Sequence, residues 1–230
     1  MIDLKLDIKD GVITCIHDFE EVNGEYKKIE GRFVLPADIT LIDPEALVEF
    51  DPLAIEVEDG NSAFYAKNNC LITKETGELA MGCSNSIIPD DGSITAISAN
   101  AFNTAYDLSK MNLNPLRIPN SVKWIGYRAF AITSENPIHI IIPKEVEDLS
   151  LMSLMAKSDK GPVMVTFEGS PEMEPGVFGT KGESADSEYN FYKELPDLIY
   201  TKTDDIKVYC HQGTTVESYC KKYLIPFELI

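Results

Sequence analysis

Four stretches of the chain repeat one arrangement of apolar positions: a proline, an aliphatic residue three places on, another at six, and a small-apolar pair at ten and eleven. Pro36 is followed by Ile39, Ile42 and Ala46-Leu47, Pro119 by Val122, Ile125 and Ala129-Phe130, and Pro143 by Val146, Leu149 and Ser153-Leu154. The copy from Pro89 holds Ile94, Ile97 and Ala101-Phe102, each displaced by the insertion of Gly92-Ser93. A unit this short cannot close a core alone, so the repetition predicts that neighbouring copies stack. Each proline ends an expected strand, at 32–35, 86–88, 116–118 and 138–142, because proline lacks the N–H that a ladder needs. The polar pair after it suits a turn, and the aliphatic and aromatic positions beyond point inward as plugs. A fifth, weaker copy has 163–167 as its strand and Val177-Phe178 as its plug.

The flanks follow other patterns. Ile2, Leu4, Leu6 and Ile8 alternate with polar and charged residues, and Asp10-Gly11 and Asn23-Gly24 are two-residue turn signals. Residues 1–32 are therefore expected to form a small antiparallel sheet that covers the open end of the first repeat. Within the repeats of 33–178, a hairpin insert is expected near 61–86, with 66–71 and 78–82 as its strands around the turn from Thr73 to Gly77. From 179 to 206 the pattern stops in an irregular acidic and aromatic insertion. The tail, 207–230, recovers it: a strand at 207–210, a capping box of Thr214 with Glu217, one helical face of Val216, Tyr219, Cys220 and Tyr223, and a final strand from Pro226. The expected fold class is α/β but mostly β, a horseshoe-like solenoid with an N-terminal β cap and a C-terminal strand-helix-strand cap.

At 118–130 the phrase IPNSVKWIGYRAF resembles the BspA-like leucine-rich repeat, whose unit is I-P-x-x-V-x-x-I-G-x-x-A-F, with Gly126, Ala129 and Phe130 matching most closely. Residues 87–102 match apart from the two-residue insertion and Ser98, where the family has glycine. The copies at 35–47 and 142–154 depart further. The tail VYCHQGTTVESYCKKYLIPFELI is similar to the family's terminal cap, and NSAFYAKNNCLITKETGEL to the hairpin often carried between repeats. This resemblance implies a leucine-rich-repeat solenoid with a strand of each coil on the concave face. It also implies a surface or secreted bacterial protein, often adhesive, with no shared catalytic residues.

Charge narrows the partners. The 230 residues hold 20 Lys and Arg against 38 Asp and Glu, a net charge of -18 at pH 7. Such a surface repels phosphate backbones and anionic lipid, so no nucleic-acid partner and no membrane-surface binding are expected. From Pro36 to Ala66 there is no Lys or Arg, which reads as a solvated acidic face. The beginning of the sequence contains no apolar segment fit for a signal peptide, and no run approaches the roughly 20 apolar residues of a membrane span. No membrane insertion is expected, and the sequence reads as cytoplasmic where the resemblance implies the cell surface.

No G-x-S-x-G, H-E-x-x-H, G-x-G-x-x-G or Walker-type loop occurs, so no cofactor and no metal are expected and the commonest nucleotide and hydrolase readings drop out. Cys15, Cys70, Cys83, Cys210 and Cys220 form no C-x-x-C pair, and an odd, sparse set favours reduced core thiols. Bridges of Cys70 with Cys83 or Cys210 with Cys220 stay open. Cys210 and His211 are adjacent and would face opposite ways on a strand, whereas Cys15 and His17 share a face. Among the other histidines, His139 sits inside an apolar strand. Trp124, Tyr127, Tyr189 and Tyr192 are the candidate binding residues, read either as partly covered surface aromatics or as anchors for a partner. The reading is a non-enzymatic binding module for a protein or glycan. The alternative is a hydrolase-type enzyme with its site between the 179–205 insertion and the solenoid edge.

Overall fold

The computed structural model of the chain describes residues 1–47, 50–103, 111, 113–179 and 206–230. The fold is mostly β. Its longest sheet has seven strands, in the order Glu172–Met173, Asp148–Leu149, Trp124–Ile125, Ala96–Ile97, Glu78–Met81, Cys70–Thr73 and Phe64–Lys67. The strands from Glu172 through Glu78 run parallel, and the last three form an antiparallel meander. Register places Leu79, Ile97, Ile125, Leu149 and Met173 in one row. Ile97 and Ile125 in that row are wholly buried and Leu149 nearly so. This is the apolar spine that the repeated sixth position predicts, because a short unit acquires a core only from its neighbours. Ile42 does not join it. Ile42 pairs with Ile13 in a separate sheet of Lys5–Lys9, Val12–His17 and Leu41–Ile42 and is only half-buried.

A second, five-stranded parallel sheet holds Leu116–Arg117, Ile138–Ile142, Val163–Phe167, Ile206–Cys210 and Phe227–Leu229; of the proline-terminated strands it takes those before Pro119 and Pro143, while Gly31–Leu35, before Pro36, lies in a separate sheet. Ile138, Ile140 and Ile142 are wholly buried while His139 and Ile141 are half-buried, the two-residue period of a sheet with one covered face. Between the two sheets the plugs meet across units. The Phe102 and Phe130 rings stack with centroids 5.3 Å apart and planes 5° from parallel. Their backbones pass hydrogen bonds forward: Phe102 N–H donates to the Ala129 carbonyl at 2.8 Å, Phe130 N–H to Ser153 at 2.9 Å, and Leu154 N–H to Val177 at 3.0 Å. Gly126 permits the close approach that this requires. A Cβ there would lie 2.7 Å from the Ala99 nitrogen and 2.9 Å from the Ser98 carbonyl carbon.

The tail supplies the last acceptor. Helix α1 (Thr215–Tyr223) is capped by Thr214, whose hydroxyl accepts from Glu217 N–H at 3.2 Å. The Glu217 carboxylate reaches back to Gly213 N–H at 2.6 Å, one residue earlier than a strict capping box. Val216, Tyr219, Cys220 and Tyr223 are buried as the helical spacing predicts. The Tyr219 hydroxyl accepts from both Gly176 N–H, at 2.9 Å, and Val177 N–H, at 3.1 Å.

Three local expectations need correction. Residues 1–32 do not form one antiparallel sheet over an end: Ile2–Asp3 runs parallel to Gly31–Leu35, which runs parallel to Ala54–Val57, and Val12–His17 runs parallel to Leu41–Ile42. Of the four alternating aliphatics only Leu4 is buried, because it lies in a break between two strands and the chain changes sheets there. Residues 66–71 are not one strand. Asn68 and Asn69 adopt φ of 53° and 58°, so the pair makes a left-handed turn between Phe64–Lys67 and Cys70–Thr73. Residues 86–88 form no strand; Ile87 N–H instead bonds to the carbonyl of that turn at Asn68, 3.0 Å away. The turns at Asp10-Gly11 and Asn23-Gly24 are as expected, with φ of 53° and 80° in one and 56° and 83° in the other.

The buried side chains form two clusters. The larger runs from Cys70 to Ile225 and contains the spine and the plugs of the repeats from Pro89 onward; the smaller runs from Leu4 to Cys83 and takes Ile39 and Leu47 of the first repeat. Successive residues of one strand divide between them: Cys70 and Ile72 face the larger cluster, Leu71 the smaller. Asp51 is an exception to the solvated acidic face. It is buried, and its carboxylate accepts from Ser84 N–H at 2.7 Å and Ser84 Oγ at 2.9 Å, with Lys28 Nζ at 3.4 Å.

Candidate functional site

Side chains alternate across a strand, so the register that buries Ile97, Ile125 and Leu149 and half-buries Met173 sends the residues before them to the other face. That second row reads Glu78, Ala96, Trp124, Asp148 and Glu172. Trp124 is half-buried, and its indole N–H donates to Ser150 Oγ at 3.1 Å. Its ring reaches over Gly126, where any Cβ would come 2.9 Å from Trp124 Cη2. The glycine that lets the units approach thus also makes room for the indole.

Beside the ring lies an open groove of about 340 Å³, lined by Trp124, Asp148, Leu149, Ser150, Glu172, Met173 and Glu174. Three of these seven side chains are carboxylates and one is aromatic. Glu174 is fixed by accepting Leu151 N–H at 2.8 Å. Next to Trp124 and Asp148 in sequence, Lys123 Nζ lies 3.2 Å from Glu147. Glu172 and Met173 also line a second open cavity of about 540 Å³ against helix α1, together with Thr215, Ser218, Tyr219, Lys222 and Tyr223. Thr215 is held by Ser170 Oγ and by the Pro171 carbonyl, to which its hydroxyl donates at 2.6 Å. A flat aromatic surface bordered by carboxylates on a rigid sheet can hold an apolar or cationic group against the ring and fix it by charge.

Of the residues singled out in the sequence, Trp124 lines this groove. Tyr127 is half-buried, lies outside the groove lining, and has the Arg128 guanidinium 5.2 Å from its ring centroid. Tyr189 and Tyr192, and with them the alternative enzyme site at the 179–205 insertion, fall outside the described residues. Asp148, Glu172 and Glu174 were missed. The signal was present: each of Trp124, Asp148 and Glu172 directly precedes an inward aliphatic, so superposing the repeats on that position exposes the row.

The cysteines and histidines are elsewhere. All five cysteines are free, and Cys70, Cys83, Cys210 and Cys220 are buried. Burial pushes the thiols of Cys70 and Cys220 up to about 12. Cys15 is exposed, contrary to the expectation of core thiols. His211 faces outward, its Nδ1–H donating to the Ile230 carbonyl at 2.9 Å, while Cys210 faces in. His139 lies on the sheet surface, Nε2 at 2.9 Å from Thr166 Oγ1.

No family model matches the chain, and no curated protein matches it. Among solved structures it is similar to a leucine-rich repeat protein from Eubacterium ventriosum, at 20% identity and a TM-score of 0.44, over 62% of this chain and 37% of that one. It is also similar to the pneumococcal vaccine antigen PcpA, at 12% identity and a TM-score of 0.42, over 88% of this chain and 56% of that one. The chain spans less than two thirds of the length of either structure.

Proposed function

We propose that the chain is a non-enzymatic interaction module, a BspA-like leucine-rich solenoid that presents the outward row of its long sheet to a protein partner carrying basic side chains. The groove at Trp124 carries this reading. It joins one large aromatic to Asp148, Glu172 and Glu174 on a surface whose backbone is fixed by parallel ladders. The overall charge of -18 would draw a cationic segment toward it before contact. Trp124 would serve as the anchor and the carboxylates would set register and specificity.

The chain's single tryptophan makes the test direct, since intrinsic indole fluorescence reports this groove alone. Titration with Lys- and Arg-rich peptides is expected to give a saturable fluorescence change that weakens with salt. Trp124→Ala is expected to weaken capture of the same peptide by roughly 30-fold, the effect of losing about 2 kcal/mol at an anchor. Glu172→Gln with Asp148→Asn is expected to weaken it and to flatten the salt dependence. Capture of a neutral glycan at the same groove would replace the basic-protein partner with a carbohydrate one; peptide binding that Trp124→Ala leaves intact would remove the groove from the reading.

A further inference from the structure

The strand Val12–His17 pairs with Lys5–Lys9, and the register slips between Asp7 and Ile8: Asp7 faces Cys15, but Ile8 faces Ile13. Thr14 is the extra residue of this β-bulge, and its hydroxyl donates to the Asp7 carbonyl at 3.3 Å. A bulge shifts the phase of everything after it. Ile13 and Ile16 therefore both face the core, and the intervening phase change turns Cys15 outward together with His17. Asp7 sits directly across the ladder from Cys15, so three side chains of metal-binding type converge on one exposed face. One ligand atom from each of Asp7, Cys15 and His17 lies within 4.8 Å of the others, the one such grouping among the described residues.

We infer that Asp7, Cys15 and His17 form a binding site for a zinc-like divalent cation. Ligand atoms around tetrahedral zinc lie about 3.3–3.6 Å apart, given bonds of about 2.0–2.3 Å, so the trio needs side-chain shifts of only about 1 Å. The donors decide the class of ion. A thiolate and an imidazole favour Zn2+ or Co2+, whereas Ca2+ and Mg2+ take oxygen ligands. His17 Nε2 and Asp7 Oδ2 already meet at 2.8 Å, so two of the three ligand atoms stand side by side before the metal arrives. Lys5, opposite His17 in the ladder, is the cationic neighbour acting against the ion, and solvent exposure screens it. Three protein ligands leave a coordination position open to water or an added imidazole.

Cobalt substitution tests this in the full chain. Titration with Co2+ is expected to give a thiolate-to-cobalt charge-transfer band that saturates at one equivalent, is displaced by Zn2+, and is absent in Cys15→Ser. His17→Ala and Asp7→Asn are expected to weaken zinc binding by more than the roughly 10–100-fold typical of losing an outer-shell partner. A second readout uses the unaltered chain: Zn2+ is expected to slow alkylation of the one exposed thiol, and Mg2+ to leave it unchanged. A cobalt spectrum that Cys15→Ser leaves unaltered, or a thiol whose alkylation ignores zinc, overturns the site. Neither measurement involves the Trp124 groove.

Discussion

At the scale of single residues, the most consequential polar group is the Tyr219 hydroxyl. In the repeats, Asn100, Arg128 and Met152 N–H donate to carbonyls of the following unit; at Gly176, the matching position, and at its neighbour Val177 the phenol is the acceptor. Tyr219→Phe leaves two amide donors without their acceptor. It is expected to cost about 1–3 kcal/mol in urea unfolding, the range for one such buried group, with the upper part of it applying if both stay dry. A second prediction concerns alkali. Burial raises the Cys70 and Cys220 thiols from 9.0 to about 12 and the Tyr219 phenol from 10.0 to about 12. A folded-state value above the unfolded one means stability that is complete below about pH 9 and lost as pH climbs toward 12, because the unfolded chain releases these protons first. The melting temperature is therefore expected to fall steeply from about pH 9 upward; a level profile to pH 11 would contradict the burial of all three. The sequence showed these residues as core, since Tyr219 and Cys220 share a helical stripe. It did not show Cys15 as exposed. Alternation is counted from an unbroken register, and the bulge at Thr14 breaks it without any composition signal.

At the scale of elements, the repeat stands on plugs and on close approach. Phe102→Ala or Phe130→Ala removes one ring of a stacked pair that is almost wholly buried. Each is expected to cost about 3–5 kcal/mol, a large part of a typical stability of about 5–15 kcal/mol, measured by denaturant unfolding. Gly126→Ala tests approach instead of packing. Its Cβ would press on backbone at Ser98 and Ala99, which cannot swing aside as a side-chain end could. The expected result is a loss of stability and a changed Trp124 emission, because the same Cβ meets the indole. The proline phrase announced these elements well: each inward position it marks from Ile94 to Phe178 is buried. The separate hairpin reading failed at Asn68-Asn69, where an apolar count over 66–71 hides a turn that two asparagines adopt readily. The phrase itself failed at 86–88, where Ser86 spends its hydrogen bonds on Cys83 and the Asn69 carbonyl.

At the scale of the whole molecule, two buried clusters share a wall, the hairpin whose residues alternate between them. Such a wall couples the halves without merging them, so they need not open together. Leu71→Ala is expected to release amide protection first in the strands around Ile13, Phe33 and Ile55, and Ile140→Ala first in the five-stranded sheet, by hydrogen exchange. Uniform loss in both variants would mean one cooperative core. Stacking was legible from the sequence; this division was not, because the copy at Pro36 carries the same phrase as the others yet pairs with Val12–His17. The groove was half legible. Trp124 stood out by type, whereas Asp148 and Glu172 acquire meaning only from the ladder that lines them up.

The forward passing of hydrogen bonds gives the array a direction, with the phenol of α1 as its terminus. New length can therefore enter by tandem duplication in the middle, while addition beyond Val177 would have to displace Tyr219. A second copy of residues 124–147, spliced ahead of Asp148, would bring its own spine and plug and set another indole beside the first. Gene duplication in this reading lengthens an aromatic track one rung at a time and leaves both extremities of the protein untouched.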